Sequence, residues 1–352
     1  MKFIIKFSFA VAAVTAFIFS ACNRKSADFI GPAYIAAPEG FAVTSFTATQ
    51  PSIDFTSASP ELLNATFTSS VTWILTITGN ESGAVHTASG ISNGFTNLPW
   101  LGDSDGALFF RSGEAVTATL SFFGTEYKAN TNINIVTAPD YTTCGTYATS
   151  GDFEIDSMIQ HKYGWHAFND PTPIADVVQG VGYKEVDYNG DTVRAAQGHQ
   201  YYFIRGLGNQ SVFVSGIQYT GALMPLLPTN ADEVWVNILL YGTGDENAGV
   251  ELEYQENDPG RGAPGYQGET DDAFVARITL NHKGWKMFSF RYSDLTPSLN
   301  LAFGGSGNKI HEPNRLVSFD LVLVKKTDPN KAIEVYFDYP IITVGGPFKP
   351  CH

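Results

Sequence analysis

Two aromatic side chains and an amide alternate along residues 234–241, VWVNILLY. Alternation of this kind is typical of a β-strand, in which every second side chain points to the same face of the sheet. One face of the strand would carry aliphatic core residues, and the other would carry Trp235, Asn237 and Tyr241. Aromatic rings pack against the C–H faces of a sugar, and a planar amide meets adjacent hydroxyls. The pattern therefore predicts a platform for a neutral sugar, with structural burial of Trp235 as the alternative.

Charged side chains on other strand-like segments could add hydrogen bonds to such a ligand. Glu251 and Glu253 alternate with Val250, Leu252 and Tyr254, which would face the core. Both glutamates are candidate sugar-binding residues. The alternative is a solvated sheet face.

Two arginines, Arg277 and Arg205, stand at polar positions of their own strand-like segments. They are also candidate sugar-binding residues. Alternatively, they simply pair with the glutamates.

Two loops concentrate further side chains that could bind a ligand. Residues 257–268 are rich in Gly and Pro and contain Tyr266, and residues 160–166 contain Trp165. Loops often display binding residues on a rigid scaffold, and a loop this long usually has a function. Tyr266 and Trp165 are therefore candidate stacking residues.

Catalysis is a competing interpretation of the same acids. Glu251 and Glu253 are two residues apart on one strand, which is roughly 7 Å along it. Glycosidases use two carboxylates at such distances, but these must flank the scissile bond, whereas two residues of one strand face lie on the same side of a sugar chain. A jelly-roll glycoside hydrolase or lyase stays an alternative. A structural or adhesive surface protein that binds another protein is a third.

Composition limits the classes of partner. The 352 residues include 21 Lys+Arg and 35 Asp+Glu, which gives a formal net charge of −14. Phosphate recognition needs a basic face, so nucleic-acid binding is excluded. An aromatic share of 13% beside a charged share of 16% indicates a globular, β-rich chain. The acidity also favours a neutral glycan over a sulfated or uronate polymer.

The first 21 residues are typical of an export signal. Lys2 and Lys6 precede an apolar stretch, and Ser20 and Ala21 precede Cys22. This arrangement resembles the bacterial lipoprotein signal, in which the cysteine is acylated and becomes the new N-terminus. The alternative is an ordinary secretory signal followed by an incidental cysteine. We expect an exported, lipid-anchored protein with no transmembrane helix.

The remainder of the chain predicts an all-β protein of two domains. Residues 22–29 form a tether, and residues 30–138 contain short alternating runs typical of an immunoglobulin-like sandwich. Residues 139–147 form a linker without periodicity. Residues 148–352 contain further strand-like runs and no convincing helical pattern, which predicts a larger jelly-roll sandwich.

Short motifs in this second region carry a resemblance to a known fold. They are Gly151-Asp-Phe-Glu154, Gly164-Trp165, Glu233-Val-Trp-Val-Asn-Ile, Gly284-Trp-Lys-Met-Phe-Ser-Phe, Ser293-Asp-Leu295 and Val335-Tyr-Phe-Asp-Tyr-Pro-Ile-Ile-Thr343. Their order resembles the galactose-binding-like jelly roll of many carbohydrate-binding modules. With the signal and the first domain, the whole chain resembles the surface glycan-binding lipoproteins of polysaccharide-utilisation systems.

This resemblance implies a function and a location. The first domain would be a spacer, and the second would bind a polysaccharide or oligosaccharide without catalysis, supporting its capture for uptake beside a TonB-dependent glycan importer. The protein would be lipid-anchored in the outer membrane, on the cell surface or on the periplasmic face.

The resemblance implies no required cofactor, but it does imply a structural calcium ion between the first and last strands of the module. The matching positions are Glu154 and Asp338, with Asp152 as a third candidate. Carboxylate and backbone oxygens are the ligands that calcium prefers. The alternative is that Glu154 and Asp338 are simply solvated or paired at a sheet edge.

Two cysteines remain besides Cys22. Cys144 precedes the second domain and Cys351 is next to the last residue. Export would place them in a compartment that permits disulfides, and the first and last strands of a sandwich commonly lie side by side. We therefore predict a Cys144–Cys351 bridge, with two unpaired thiols as the alternative.

Overall fold

The computed structural model describes most of both predicted domains. The described residues are 34–57, 59–141, 147–148, 153–154, 165–168, 175–208, 212–220, 227–257, 271–298 and 307–349. Several predicted features lie outside them, namely the signal and tether, Cys22, Cys144, Cys351, Asp152, Tyr266 and the side chain of Trp165. Within the described ranges, no helix has the length and apolar character needed to span a membrane.

The N-terminal domain is built from six strands. These are β1 (Val43–Ala48), β2 (Ser52–Asp54), β3 (Glu61–Gly79), β4 (Val85–Trp100), β5 (Ala115–Phe122) and β6 (Lys128–Thr137). They pair in the order β1-β3-β5-β6-β2, with β4 also on β3, and β2 runs parallel to β6. Register shifts along β3 let this long strand bend around the core, which includes Leu63 and Trp73.

The C-terminal domain is a sandwich of two sheets. Its strands are β7 (Tyr147–Ala148), β8 (Trp165–Ala167), β9 (Val177–Gly182), β10 (Tyr201–Gly206), β11 (Phe213–Thr220), β12 (Val234–Thr243), β13 (Ala248–Glu256), β14 (Asp272–Thr279), β15 (Lys283–Arg291), β16 (Thr296–Pro297), β17 (Leu316–Lys325) and β18 (Ile333–Val344). Short 3-10 turns occur at Phe55–Ser57, Ala231–Glu233, Tyr292–Asp294 and Pro313–Arg315. The predicted all-β fold class is confirmed.

Each sheet is named here by a residue on its outer face. The Trp235 sheet has the order β15-β12-β18-β10-β9, with β7 on β18, and the Glu253 sheet has the order β16-β14-β13-β17-β11-β8. Alternation drives the layering, because Val236 and Ile238 of β12 pack into the same core as Val250 and Leu252 of β13. The side chains between these residues therefore point away from the core on opposite sides of the sandwich.

This layering separates the predicted site residues into two groups. Trp235 and Tyr241 lie on the outer face of the Trp235 sheet, whereas Glu251, Glu253 and Arg277 lie on the outer face of the Glu253 sheet. The whole thickness of the core lies between the two groups. One ligand cannot contact both faces at once.

The outer face of the Trp235 sheet also packs on the N-terminal domain. Phe109 of the first domain shares a buried apolar cluster with Leu239 and Tyr339 of the second. The Nη2 group of Arg111 donates a hydrogen bond of 2.6 Å to the carbonyl of Ala195. The face that the sequence predicted as a sugar platform is thus partly an interface between domains.

Candidate functional site

An ion pair marks the outer face of the Glu253 sheet. Glu251 on β13 and Arg277 on β14 are direct cross-strand partners, and Arg277 Nε lies 2.7 Å from Glu251 Oε1. The two side chains are 35% and 50% exposed, so the pair meets solvent and could meet a ligand. The structure brings these two predicted residues together.

Glu253 lies two residues further along β13 on the same face and is 6% exposed. Among the described residues, its Oε1 atom has no hydrogen-bond partner. Burial raises the pKa of this carboxyl; a hydrogen bond to Ser298 opposes the shift, and the charge of Glu251 adds to it. Glu253 is therefore a buried acid that lines the cavity described below and has one buried oxygen without a hydrogen-bond partner in the described part of the chain.

Asp320 on β17 is the direct cross-strand partner of Glu253 and is fully buried. Its Oδ2 atom accepts a hydrogen bond of 2.8 Å from Gln255 Nε2, while Oδ1 has no partner within the described part of the chain. Burial raises the pKa of Asp320 to about 8; hydrogen bonding to Gln218 opposes this, and the charge of Glu253 adds to it. The sequence prediction did not include this residue.

A polar network of Gln255 on β13, Ser318 on β17 and Gln218 on β11 supports Asp320. Gln255 accepts hydrogen bonds from the hydroxyl of Ser318 and, at 3.3 Å, from Gln218 Nε2. The buried amides thereby hold each other in one orientation. The network therefore holds Asp320 Oδ2 as a hydrogen-bond acceptor, so that a shared proton with Glu253 would involve Oδ1.

A cavity of about 390 Å³ lies over this face. Its lining includes the aromatic residues Phe168 and Phe213 and the polar residues Glu251, Glu253, Arg277, Ser298, Lys325 and Lys326. The two phenylalanine rings stack with their centroids 6.3 Å apart. A site that combines charged hydrogen-bonding groups with an aromatic surface has the two features that sugar binding requires.

Asn237 does not belong to an exposed platform, which corrects the sequence prediction. The residue is 2% exposed. Its Nδ2 donates to the carbonyl of Ile341 at 3.0 Å and to Thr343 Oγ1 at 3.1 Å, and its Oδ1 accepts from the Phe348 N–H at 2.9 Å. The amide is used to hold adjacent segments of the chain together.

The aromatic residues beside Asn237 are also engaged within the protein. The Arg291 guanidinium lies 5.3 Å from the centre of the Trp235 ring. The Tyr241 hydroxyl donates to Asp187 Oδ2 at 3.4 Å, and its ring packs edge-on against Trp285. Both aromatic side chains are partly buried, so this face lacks the continuous open surface that the sequence pattern predicted.

Arg205 is separated from the other predicted charged residues. It lies on β10 of the Trp235 sheet, where Nη2 is 3.7 Å from Glu185 Oε2 and the guanidinium lies 5.3 Å from the centre of the Phe203 ring. Arg205 therefore does not pair with Glu251 or Glu253, which was the alternative for the two arginines, and it lies on the other sheet from Arg277. Of the loop candidates, Trp165 begins β8 and Tyr266 lies outside the described residues.

The predicted calcium ligands Glu154 and Asp338 face one segment of the chain. Glu154 Oε1 accepts hydrogen bonds from the His199 and Gln200 N–H groups, and Asp338 Oδ2 accepts from the Ala196 and Gln197 N–H groups. Calcium takes six to eight oxygen ligands, and these two carboxylates already serve amide donors. In the described ranges, no group of three or more His, Cys, Asp or Glu side chains could hold a metal ion. The calcium ion stays a prediction.

The sequence contains part of the signal for the residues that were missed. Asp320 alternates with Phe319 and Leu321, which are buried in the core, so its outward direction could have been read from the pattern. Its position opposite Glu253 depends on the β13–β17 register, which joins segments about 65 residues apart. Phe168 and Phe213 lie at short or irregular strand ends and carry no such pattern.

No protein-family model matches the chain, and no curated protein sequence matches it. The solved structures to which it is similar include carbohydrate-binding modules. A family 11 module from Clostridium thermocellum, in complex with a β-1,3-1,4-mixed-linked tetrasaccharide, is 12% identical over 52% of this chain and 96% of that one, with a TM-score of 0.32.

A module of the β-sandwich superfamily described as promiscuous in specificity is 9% identical over 88% of this chain and 99% of that one, with a TM-score of 0.33. A C-terminal family 22 module of Clostridium thermocellum Xyn10B is 13% identical over 59% and 98%, with a TM-score of 0.31. Likeness at this level transfers neither a ligand nor the role of a residue.

Proposed function

We propose that the protein binds a neutral polysaccharide or oligosaccharide, without catalysis, on the outer face of the Glu253 sheet. The observation that carries this proposal is the cavity of about 390 Å³ in which the Glu251–Arg277 pair, the Glu253 carboxyl and the Phe213 ring meet. Its volume lies within the range of about 300–1,000 Å³ that is typical of small-molecule sites.

The groups in the cavity are complementary to a sugar ring. Glu251 accepts hydrogen bonds from hydroxyls, Arg277 donates them, and hydrogen bonds to charged groups contribute about 1.5–3 kcal/mol each. Phe213 and Phe168 offer apolar surface to the C–H face of a ring. The net charge of −14 repels a polyanionic ligand at long range, which favours a neutral glycan.

The arrangement of the acids favours binding over hydrolysis. Glu251 and Glu253 lie on one strand, and Asp320 lies beside Glu253 on the next, so all three belong to the same sheet face. Glycoside hydrolysis needs two carboxyl groups on either side of the scissile bond. A sugar chain lying on this face would have these three acids on one side only.

We propose further that the chain is exported and lipid-anchored at Cys22 in the outer membrane, where it supports glycan capture beside a TonB-dependent importer. The support is the charged, apolar and small-residue order of residues 1–22 together with the resemblance to glycan-binding lipoproteins. Incorporation of labelled palmitate by wild type and not by Cys22→Ser tests the anchor. Wild-type protein that takes up no labelled palmitate and is found outside the membrane fraction would contradict the anchor.

Affinity electrophoresis tests the binding proposal. Gels containing mixed-linkage β-glucan, xylan or agarose represent neutral polymers, and gels containing alginate represent an acidic one. We expect at least one neutral polymer to retard the protein, and Arg277→Ala to weaken the retardation. The matched control Arg205→Ala, on the other sheet, should run as wild type does.

Two outcomes would contradict the proposal. Absence of retardation in every gel would remove the glycan-binding function. Release of reducing sugar by the purified protein, abolished by Glu253→Gln, would replace binding with catalysis.

A structural calcium ion is part of the same proposal. If calcium is held by Glu154 and Asp338, adding calcium to protein stripped with EDTA raises the melting temperature, because a ligand that binds only the folded state stabilises it. Asp338→Asn should remove that response. An equal response in wild type and variant would contradict the assigned ligands.

A further inference from the structure

Two buried carboxyl groups are paired at the proposed glycan site, where Glu253 lines the cavity and Asp320 lies outside the lining. Glu253 and Asp320 are direct partners in the β13–β17 ladder, and Cβ atoms in such pairs are about 4.5–5.5 Å apart. The residues are 6% and 0% exposed, and each keeps one oxygen without a partner among the described residues. Two negative charges this close and this poorly solvated do not form together at neutral pH.

The other charged groups on this face do not neutralise the pair. On β13 the neighbour is Glu251, which adds negative charge, and on β14 it is Arg277, whose guanidinium is bonded to Glu251. The cationic charge of Arg277 lowers the pKa of Glu253 by less than burial raises it.

The elements on the remaining sides offer mostly neutral groups. On β11 the facing residue is the amide Gln218, and beyond it β8 places His166 opposite Gln218. After β16, Ser298 contributes a hydroxyl to Glu253. At the end of β17, Lys325 and Lys326 also line the cavity, and their ammonium groups donate to the Pro329 carbonyl and to the Thr279 hydroxyl. Only His166 among these could add a titration of its own near neutral pH.

We propose that Glu253 and Asp320 hold one proton between them, and that Glu253, whose side chain lines the cavity, uses it to donate a hydrogen bond to a sugar hydroxyl while Glu251 accepts one. This inference rests on the proposed glycan-binding function. It makes glycan capture dependent on pH, with release when the shared proton is lost. The ligand it fits is one whose hydroxyls both donate and accept, which is a neutral sugar.

The size of the effect follows from the fraction of protein that holds the proton. Burial raises the pKa of Asp320 to about 8, and two coupled acids titrate as one system. At 1.5 pH units above such a value only about 3% of the protein is protonated, so the apparent Kd rises about 30-fold. Below about pH 7 the Kd should be nearly constant.

The experiment compares the Kd at pH 6 and pH 9.5, by affinity electrophoresis of the full mature chain in the neutral polymer that retards it most. In wild type we expect the ratio of the two values to be about 30. In Glu253→Gln the side-chain amide does not titrate and can donate a hydrogen bond at both pH values. The ratio of the two Kd values should therefore fall towards one. Glu251→Gln should weaken binding at both pH values and keep a ratio well above one, although loss of its charge lowers the pKa of Glu253. His166→Gln should leave the ratio unchanged.

A second measurement needs no glycan. Carboxyl carbon NMR of the free protein should show a carboxyl that stays protonated at pH 7 and whose signal is absent from Asp320→Asn. Burial also raises the pKa of Glu256 to about 8, so a second protonated signal should remain in that variant. If retardation is the same at both pH values, or if Asp320→Asn removes no protonated carboxyl signal, the inference is overturned while glycan binding stands. If no polymer retards the protein at any pH, the proposed function fails, and the NMR titration alone decides whether the pair holds a proton.

Discussion

Asn237 accepts a hydrogen bond of 2.9 Å from the Phe348 N–H, which ties the end of the described chain to β12 of the Trp235 sheet. The same side chain donates to Ile341 and Thr343. The sequence suggested this amide for ligand binding, but its hydrogen bonds hold the last strand and the segment after it against β12.

Replacing this amide should reduce stability and leave glycan binding intact. Asn237→Ala leaves buried backbone groups without partners, so we expect the free energy of unfolding to fall by about 1–3 kcal/mol. Urea denaturation measures the loss. Asn189→Ala removes one exposed hydrogen bond to Thr243 and should cost less than about 0.5 kcal/mol. Equal losses in the two variants would contradict the structural role of Asn237.

The phenylalanine rings that line the cavity should contribute to the affinity for the glycan. Phe213→Ala removes ring surface that we expect to pack on a sugar, so the Kd should rise about tenfold, which corresponds to about 1.4 kcal/mol. Isothermal titration with an oligosaccharide of the retarding polymer measures this. Phe123→Ala is the matched control, because this ring is 51% exposed on the N-terminal domain, and the variant should keep the wild-type Kd. An unchanged Kd for Phe213→Ala would remove the ring from the site.

Asp320 should give stability a pH dependence of definite sign. Its pKa is about 8 in the folded protein and about 3.9 in the unfolded chain. Between these values the folded state holds a proton that the unfolded state has released, so the free energy of unfolding falls as the pH rises. The stabilisation is fully present below about pH 4 and is lost by about pH 8.

Asp320→Asn should make this profile less steep, because the amide keeps an acceptor for Gln255 and has no proton to lose. Glu256, whose pKa burial also raises to about 8, keeps its own contribution in the variant. Above pH 8 we expect the variant to be more stable than wild type by about 1 kcal/mol or more, since one pKa unit corresponds to about 1.4 kcal/mol. Urea denaturation over a pH series measures it, with the exposed Glu39→Gln as control. A wild-type stability that does not fall between pH 5 and pH 8, or an Asp320→Asn variant whose stability falls as steeply as that of wild type, would contradict the assignment.

The local pattern of the chain was sufficient for the fold class and for the direction of many side chains. Alternation placed Val236 and Val250 in the core and Glu251 on an outer face, because these directions depend only on neighbours in sequence. It could not show that Trp235 and Glu251 belong to opposite faces of the sandwich. That separation depends on which strands pair across long stretches of sequence.

The sequence pattern also could not predict which outward-facing residues are covered by distant parts of the chain. Leu239 and Asn237 face away from the core of their own domain, as the alternation indicated, yet the N-terminal domain covers Leu239 and the segment at Phe348 is bonded to Asn237. The pairing of Glu253 with Asp320 depends likewise on a register between distant strands. Sequence periodicity gives the direction of a side chain, and only tertiary contacts decide whether it is available.

Hydrogen exchange of the protein with and without the retarding glycan tests the central claim most directly, because it reports which sheet the ligand covers. We expect added protection along β13 and β14, at residues 248–256 and 272–279, and none along β12, at residues 234–243. Protection confined to residues 234–243 would instead place the ligand on the Trp235 sheet and contradict the site described here.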